Sequence, residues 1–531
     1  MVNKRTRSGW RLVLPAQAAQ VTSEVIFSTT EVRTWDLFKS APGESPLIDS
    51  EYQFIDDTED IIQCYQHDNG DDERQSTSEE PDVSHTFKWP EDQRRMTQNG
   101  VSSSAPPETP SSGRECSRDR SASPIPTLDL DQHTRASLLT AYLRETATWC
   151  ETTDSDCNFS VKFAHGMIKS EPYLAAALAL ASRQRDSIRR EHNPLTLELY
   201  QYAIRLLLRH DPVEANADIL ATCTVLCVYE MMVADVSEWR RHLGGCAGLL
   251  RSHGWNGSSE GIVKTCFWAF ARIDIWAAYL MDQPTLIPTD SWVADESFET
   301  TVTSGNIDDY CNLAILIFAR LINMINTFRN DLDHYELDFP DHINRAWERF
   351  QKWWRLRPAG AKPLVCSEAT ACSPFPAIVF TQSSANCGNT FYHAGCILLL
   401  RTGYIQSNPR DTGTMDRVWH AKALGGISTS NPSQYANTPV DANWVNHLQP
   451  LYIAGQCFGS QSPLLDQSKQ RSSTNTTDNS PRYGTGSDSR TEEYAAEKIA
   501  LLKHLTKIEK LTGWKTSDRA KDLRILWGLE N

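Results

Sequence analysis

The sequence predicts an all-α protein: a large multi-helix domain over residues 129–531 that follows a disordered, acidic N-terminal region over residues 1–128. Three observations support this. Segments beyond residue 129 show helical periodicity with capping residues at their starts. Alternating strand patterns are almost absent there. The mean hydropathy of −0.45 over 531 residues is low for a chain that is folded throughout.

The N-terminal region changes sign along its length. Residues 1–23 carry four basic side chains and no acid, whereas residues 49–82 hold thirteen Asp and Glu against one base, Arg74. Residues 98–126 are mostly Ser, Pro, Thr and Arg. Segments of this composition bury too little apolar surface to offset their conformational entropy. Disorder is therefore expected over most of 1–128, with short strands or helices allowed at 21–27 and 32–38.

Capped apolar segments predict the helices in order. Helical spacing of apolar residues begins at 129–149. Asn193 followed by Pro194 matches an N-cap and a first-turn proline, and Ser237 is the predicted cap of another helix. The remaining helices are predicted at 172–181, 194–206, 215–232, 237–254, 262–281, 313–328, 343–356, 389–402, 416–424, 443–458 and 492–511. The 443–458 helix is open to a break at Pro450, and a disordered insertion is expected at 466–490.

Charge and apolar run length exclude several classes of protein. The formal net charge is −15, so the bulk surface repels nucleic-acid phosphates and any DNA contact needs a small basic module. The longest uncharged apolar run, 173–181, is far shorter than the roughly 18 residues that span a bilayer. The apolar stretch around Arg320 fits a core helix better. No membrane association is predicted.

Fourteen cysteines are spread along the chain, and none forms a C-x-x-C pair. Without a secretion signal, this distribution indicates reduced thiols that are mostly buried as small apolar groups. A structural zinc site usually shows two close ligand pairs, and no such set occurs here. The sequence therefore predicts neither a metal site nor any other cofactor in this chain.

Two Cys–His pairs at helical spacing are the candidate nucleophilic sites. They are His242 with Cys246, and His393 with Cys396. An imidazole beside a thiol could activate it, but both pairs lie on apolar helices where buried cysteines are common. The structural interpretation is favoured, and no catalytic residue is predicted.

An aspartate-rich run raises an enzymatic alternative. Residues 56–60 read Asp-Asp-Thr-Glu-Asp, which is similar to the magnesium-diphosphate signature of terpene synthases, an all-α class. A partner signature begins at Asn330-Asp331 but has His334 in place of serine and Asp338 in place of glutamate. The first run also lies in the region expected to be disordered. A solvated acidic stretch is therefore the preferred interpretation.

Two charges fall inside an aromatic segment. Arg272 and Asp274 stand among the aromatic residues of the helix predicted at 262–281. A charge in such a segment faces solvent, pairs with another charge or contacts a bound metabolite. Structural charge pairing is the expectation.

Several short motifs follow one another between residues 130 and 530. They are Ala221-Thr222-Cys223, 226–232, 238–246, Gly254-Trp255-Asn256, 267–272, 284–288, 392–400, 448–455, Thr512-Gly513-Trp514, Asp522-Leu523 and Trp527-Gly528. Each is short, but their order resembles the fungal-specific transcription factor domain of fungal zinc-cluster (Zn2Cys6) transcription factors. The resemblance implies an all-α regulatory domain, a nuclear location and control of transcription by RNA polymerase II.

The same resemblance implies an N-terminal DNA-binding module that holds two zinc ions with six cysteines. Residues 4–9 are similar to its lead-in, but Trp10 and Arg11 stand where the first cysteine is due, and the first cysteine is Cys64. The expectation is that the zinc cluster is missing from this chain, through a skipped, frameshifted or wrongly joined coding segment. Zinc and specific DNA binding are then expected only of intact family members. The remaining basic residues would make weak, sequence-indifferent phosphate contacts: Lys4, Arg5, Arg7 and Arg11.

The predicted function is a transcription-factor-like regulator whose helical domain serves partner binding, autoinhibition or effector sensing. The expected partners are proteins of the transcription machinery or a second copy of the chain. Two alternatives stay open: an interaction protein that competes with an intact relative without binding DNA, and an all-α enzyme of terpene-synthase type. Carboxylates converging in a large pocket would favour the enzyme, and an apolar-lined surface groove would favour the regulator.

Overall fold

The structure is a computed structural model. It describes residues 128, 130–210, 215–330, 338–370, 373–405, 415–431, 442–459 and 493–530, and the backbone of three short N-terminal strands.

These N-terminal strands form a small antiparallel sheet. β1 (Trp10–Val13) lies in the centre, between β2 (Val25–Phe27) and β3 (Gln53–Asp56). β2 coincides with the end of the short element predicted at 21–27, whereas β1 and β3 were not predicted. The element predicted at 32–38 and the acidic segment that follows β3 lie outside the described residues.

Helices make up most of the described chain beyond residue 130, which confirms the predicted all-α fold. In order they are α1 (Gln132–Arg144), α2 (Ala164–Lys169), α3 (Glu171–Arg189), α4 (Pro194–Leu208), α5 (Ala217–Val233), α6 (Val236–Ser252), α7 (Gly261–Met281), α8 (Phe298–Ser304), α9 (Ile307–Asn330), α10 (Phe339–Leu356), α11 (Ser383–Arg401), α12 (Arg417–Ser430), α13 (Asn443–Gln456), α14 (Ala495–Thr512) and α15 (Ser517–Leu526). Short 3-10 and π segments connect some of them. One two-stranded hairpin, β4 (Val365–Ser367) with β5 (Ala377–Val379), interrupts the series.

The helix starts follow the capping residues closely. Asn193 Oδ1 accepts the Leu195 amide at 3.1 Å, with Pro194 in the first turn, as predicted. At α6 the prediction is wrong by two residues. The extended N-cap is Asp235, so Ser237 already lies inside the helix.

Several helices differ from the predicted bounds because tertiary contacts outweigh local signals. α9, α11 and α12 run longer than expected. Pro450 does not break α13, which stays helical across it while packing against α11, α12, α14 and α15. α15 was not predicted, since its exposed face is rich in charge. The insertion predicted at 466–490 lies outside the described residues.

The centre of the core is the contact between α9 and α11, here called the α9–α11 seam. Gly388 faces Cys311, and Gly395 faces the ring of Phe350 on α10, so small residues allow the close approach. Phe391 lies between Trp276 and Phe318, at centroid distances of 5.5 and 5.2 Å. α9 is long and apolar enough to span a bilayer, but fifteen of its 24 residues are buried in the protein, as expected of a core helix.

Candidate functional site

A groove of about 1640 Å³ opens where several helix ends meet. The last turns of α3, α7 and α9 form one side of it. The α5–α6 turn, one face of α13 and the α14–α15 turn complete it. Gly513 in the α14–α15 turn packs closely on Ser187 of α3, so residues distant in sequence close this wall. The groove is the candidate functional site.

Aromatic side chains form much of its lining. Trp276 and Tyr279 come from α7, Tyr452 from α13, and Trp514 from the α14–α15 turn. Trp276 and Trp514 are only 6 % exposed, and neither indole Nε1 has a hydrogen-bond acceptor among the described residues. A buried donor without an acceptor is costly, and a ligand oxygen would satisfy it.

Arginine side chains cluster at the end of the groove beside Tyr279. Arg329 Nη1 lies 2.5 Å from Asp282 Oδ1, and the Arg519 guanidinium lies 4.9 Å from the centre of the Tyr452 ring. Arg401 is buried behind them and donates to Gln456 Oε1 at 2.6 Å. Burial raises the pKa of the Tyr279 phenol, and the positive charges of these three arginines oppose that rise. This end of the groove is therefore electropositive.

Two of the carboxylates that line the groove are held by hydrogen bonds within the protein. Asp186 Oδ2 accepts from Thr196 Oγ1 at 2.7 Å and from the Asn193 amide at 3.2 Å. Glu509 Oε2 accepts the amides of Thr516 and Ser517 at 2.9 and 2.8 Å, at the start of α15. A carboxylate there stabilises the positive end of the helix. These two acids therefore have structural roles.

The first Cys–His pair is not joined in the structure. Cys246 is buried with its Sγ 3.6 Å from Cys227 Sγ, while His242 lies near the surface with Nε2 3.9 Å from Glu230 Oε1. The hydrogen bond with Cys223 lowers the pKa of the Cys246 thiol, but the hydrogen bond with Cys227 and burial outweigh it and hold that pKa well above its ordinary value. A protonated thiol away from a base is not an activated nucleophile.

The second pair is also separated. His393 Nδ1 lies 2.9 Å from His420 Nδ1, and the contact of Cys396 Sγ is with Gln351 Nε2 at 3.9 Å. Burial raises the pKa of the Cys396 thiol and lowers that of the His393 imidazole. Both side chains are therefore neutral core groups.

The two charges on α7 differ in their surroundings. Arg272 is buried and donates to Cys150 O and Thr153 Oγ1, both at 2.9 Å, so its partners are neutral where a charge pair was expected. Asp274 Oδ2 accepts the Leu286 amide at 2.6 Å. Burial raises the pKa of the Asp274 carboxyl to about 7, and the positive charge of Arg240 opposes this rise. Neither residue lines the groove.

The aspartate-rich signatures are only partly described. Asp56 ends β3, and residues 57–60 and 331–337, His334 included, lie outside the described residues. Asn330 donates to Asp282 O at 3.1 Å, and Asp338 is the N-cap residue of α10. Among the residues that the structure describes, no group of three or more His, Cys, Asp or Glu is arranged to hold a metal ion.

The basic residues expected to touch DNA are mostly outside the described part. Lys4, Arg5 and Arg7 are not described, and Arg11 lies in β1 opposite Ile26 and Ile55. The residues present do not fit a two-zinc cluster, since the first 63 residues supply no thiolate and Trp10 begins a strand where the first ligand is due. The DNA contacts of these four basic residues stay a prediction.

Sequence reasoning did not find the groove. Its arginines and tyrosines come from helix ends that are hundreds of residues apart, so no local spacing marks them. One signal was present: the motifs at 226–232, 448–455 and 512–514 each supply lining residues, among them Met231, Tyr452 and Trp514.

Comparisons with known proteins identify the family to which this chain belongs. A family model described as "Fungal specific transcription factor domain" matches residues 137–470, which is more than half of the chain. The chain therefore belongs to the family of proteins that carry this domain, as the order of its motifs predicted.

A curated relative points the same way. The chain is 21 % identical over 391 residues to "Transcription activator AMTR1" of Alternaria alternata, an alignment that covers 59 % of this chain and 44 % of the relative. The chain thus spans less than half of the length of this curated relative. No solved structure matches the chain. The family and this relative support a regulator of transcription.

Proposed function

We propose that this chain regulates transcription by RNA polymerase II in the nucleus and that its helical domain responds to an effector bound in the groove. The family match and the relative's name support the regulatory role. The observation that carries the sensing role is the groove itself, which is large, lined by aromatic residues and built from helix ends.

The position of the groove suits a sensor. A ligand there would contact α7, α9, α13 and the α14–α15 turn together, and ligands shift a protein toward the arrangement that they bind best. α7 also links the groove to the core, because Trp276 lines the groove and stacks on Phe391 of α11. Occupancy of the groove can thus stabilise the last turn of α7, which lies between the ligand and the core.

The alternative of an all-α enzyme gains no support from the groove. The observation that would favour it is a set of carboxylates free to bind metal or exchange protons. Of the six carboxylates in the lining, Asp186 and Glu509 are engaged in hydrogen bonds at helix starts. Asp282 is paired with Arg329, and Asp518 with Lys515. Among the described residues, no three of the groove's acids are grouped to hold a metal ion. The alternative of an interaction protein without its own DNA contact is compatible with the proposal, since the first 63 residues contain no cysteine.

Tethering tests the proposal without requiring DNA binding by the chain. The full chain is fused to an unrelated DNA-binding domain and directed to a reporter promoter in fungal cells. We expect reporter output to differ several-fold from that of the DNA-binding domain alone. We also expect Arg519→Gln, in the groove, to change that output. The matched control is Arg345→Gln, an exposed arginine of α10 outside the groove, which should behave as the unmodified chain.

The contradicting result is equally clear. If the fusion accumulates in the nucleus and leaves reporter output equal to that of the DNA-binding domain alone, the regulatory role is wrong. If output changes but Arg519→Gln and Arg345→Gln behave alike, the regulatory role stands and the sensing role of the groove is wrong.

A further inference from the structure

We propose that the groove binds a small organic anion with a planar apolar body, whose charge lies beside Arg329 and Arg519 and whose ring lies on Tyr279 and Tyr452. This inference rests on the proposed function for its biological meaning, and it can be tested on purified protein alone.

The electropositive end of the groove selects the charge of the ligand. Arg329, Arg401 and Arg519 all act on Tyr279, and the described carboxylates bonded to them are Asp282 and Asp522. Counted over the whole lining of the groove, seven Lys and Arg side chains stand against six Asp and Glu side chains, which leaves one positive charge in excess. In a chain of formal net charge −15 this is a local reversal of sign. Partly buried positive charge of this kind attracts anions and repels cations.

Arginine is well suited to hold a carboxylate, sulfonate or phosphate. Its planar fork donates two parallel hydrogen bonds and also stacks on aromatic rings. Arg519 is already placed over the Tyr452 ring at 4.9 Å. An anion at Arg519 therefore lies next to an aromatic surface, which defines a ligand with its charge adjacent to a flat ring.

The indole groups add an independent indication of a polar ligand atom. Trp276 and Trp514 line the groove, are more than nine-tenths buried, and each lacks an acceptor for Nε1 among the described residues. Gln449, also in the lining, has a buried Oε1 for which the described part of the chain supplies no donor. Native proteins leave few such groups unsatisfied. A ligand that carries both acceptor and donor atoms would complete them.

The groove is large enough to hold the whole of such an anion. Its volume of about 1640 Å³ exceeds the roughly 300–1,000 Å³ usual for sites of drug-sized ligands. A bicyclic or tricyclic aromatic anion fits with room for bridging water. A nucleic-acid strand is disfavoured, because Asp235, Glu191 and Asp518 also line the groove and would face its phosphates.

Two fluorescent probes separate the charge from the ring. They are 8-anilinonaphthalene-1-sulfonate and its neutral analogue N-phenyl-1-naphthylamine, titrated into the purified full chain. Energy transfer from the groove tryptophans reports binding at this site. We expect the sulfonate to bind more tightly than the neutral analogue. Added salt should lower the affinity for the sulfonate and leave the affinity for the neutral analogue unchanged.

Substitution of Arg519 then assigns the charge contact. Arg519→Gln should lower the affinity for the sulfonate about tenfold and change the affinity for the neutral probe by no more than about twofold. Arg519→Lys keeps the charge and should retain affinity within about threefold. Arg345→Gln is the control and should change neither probe. Far-ultraviolet circular dichroism and the melting temperature show whether each variant is folded.

Two results would overturn the inference. One is equal affinity of the sulfonate for Arg519→Gln and for the unmodified chain. The other is an equal loss of affinity for both probes in a folded Arg519→Gln variant. That result would mean that Arg519 shapes the groove without binding the charge of the ligand. Because no transcription is measured, either failure leaves the reporter result intact. A silent reporter likewise leaves anion binding intact.

Discussion

The α9–α11 seam and the groove share α9 but are packed in opposite ways. In the seam, apolar side chains fill the space and Gly388 allows α11 to touch α9, while Gly395 allows the same helix to touch α10. In the groove, arginines and indoles meet at helix ends, and several buried polar atoms have no hydrogen-bond partner among the described residues. α7 joins the two, since Trp276 belongs to both.

This difference in packing assigns the stability of the domain to the seam and the response to ligands to the groove. Close packing transmits strain and tolerates few changes of volume, so the seam sets the stability of the domain. Unsatisfied polar groups and paired charges at a surface are the parts of a protein that a ligand can alter at low cost. Mutations in the seam are therefore expected to lower stability strongly, and ligands should leave the seam unchanged. In the groove, mutations should cost less stability and ligands should change the structure more.

The largest expected effect is the loss of an aromatic ring from the seam. Phe391→Ala removes a fully buried ring that contacts Trp276 and Phe318, so it leaves a cavity. We expect the free energy of unfolding to fall by about 3–5 kcal/mol in chemical denaturation. Tyr452→Ala, at the half-buried groove lining, should cost less than half as much. Equal losses would remove the distinction between the two regions.

A smaller effect is expected from a single added methyl group. A Cβ on Gly395 would lie 2.4 Å from the Phe350 ring, so Gly395→Ala forces the helices apart. We expect a loss of about 1–3 kcal/mol in the free energy of unfolding.

The matched control is Gly244→Ala in α6. A Cβ at Gly244 meets nothing within 4 Å among the described residues, and its backbone is helical. Here alanine should raise the free energy of unfolding by about 0.5–1 kcal/mol, because it restricts the unfolded chain and favours the helix. Destabilisation of similar size by both substitutions would contradict the close contact at Gly395.

A third effect concerns pH, through the buried carboxyl on α7. The pKa of Asp274 is raised to about 7 by burial, whereas an unfolded aspartate has a pKa near 3.9. Between these values the folded state keeps a proton that the unfolded state has lost. Stability therefore falls as pH rises from about 4 to about 7.

Asp274→Asn removes this titration and isolates its contribution. We expect the variant to gain stability relative to the unmodified chain by on the order of 1–2 kcal/mol between pH 4 and pH 7. The measurement is the difference in free energy of unfolding between the two proteins at several pH values. A difference that stays constant with pH would show that the Asp274 carboxyl has an ordinary pKa in the folded state.

The sequence predicted the seam far better than the groove. Helical periodicity, Asn193 with Pro194, and the motif at 392–400 carry local information, and local information is sufficient to place core helices. The start of α6 was placed two residues late, and the continuity of α13 through Pro450, which depends on its neighbours, was left open. α15 was missed because its exposed face is rich in charge and because its start is fixed by Glu509, a residue of the preceding helix.

The groove could not be predicted because its parts are joined only by the fold. Arg329 and Arg519 are 190 positions apart, and in a chain with 52 Lys and Arg neither of them can be recognised from the sequence as a site residue. Their significance comes from Tyr279 on α7 and Tyr452 on α13, which line the same groove beside them. The predicted ion pair of Arg272 was wrong for a related reason. The fold places a carbonyl and a hydroxyl group of a preceding loop, Cys150 O and Thr153 Oγ1, where a carboxylate was expected.

Hydrogen–deuterium exchange with and without the aromatic sulfonate tests the contrast between the two regions most directly. We expect slower exchange in peptides that cover residues 276–283 and 513–520, and unchanged exchange in residues 388–399 of the seam. At a probe concentration near the dissociation constant of the unmodified chain, Arg519→Gln should show much weaker ligand-dependent protection. Protection confined to the seam, or undiminished protection in Arg519→Gln at that concentration, would contradict the claim that the groove is the ligand-responsive part of this regulator.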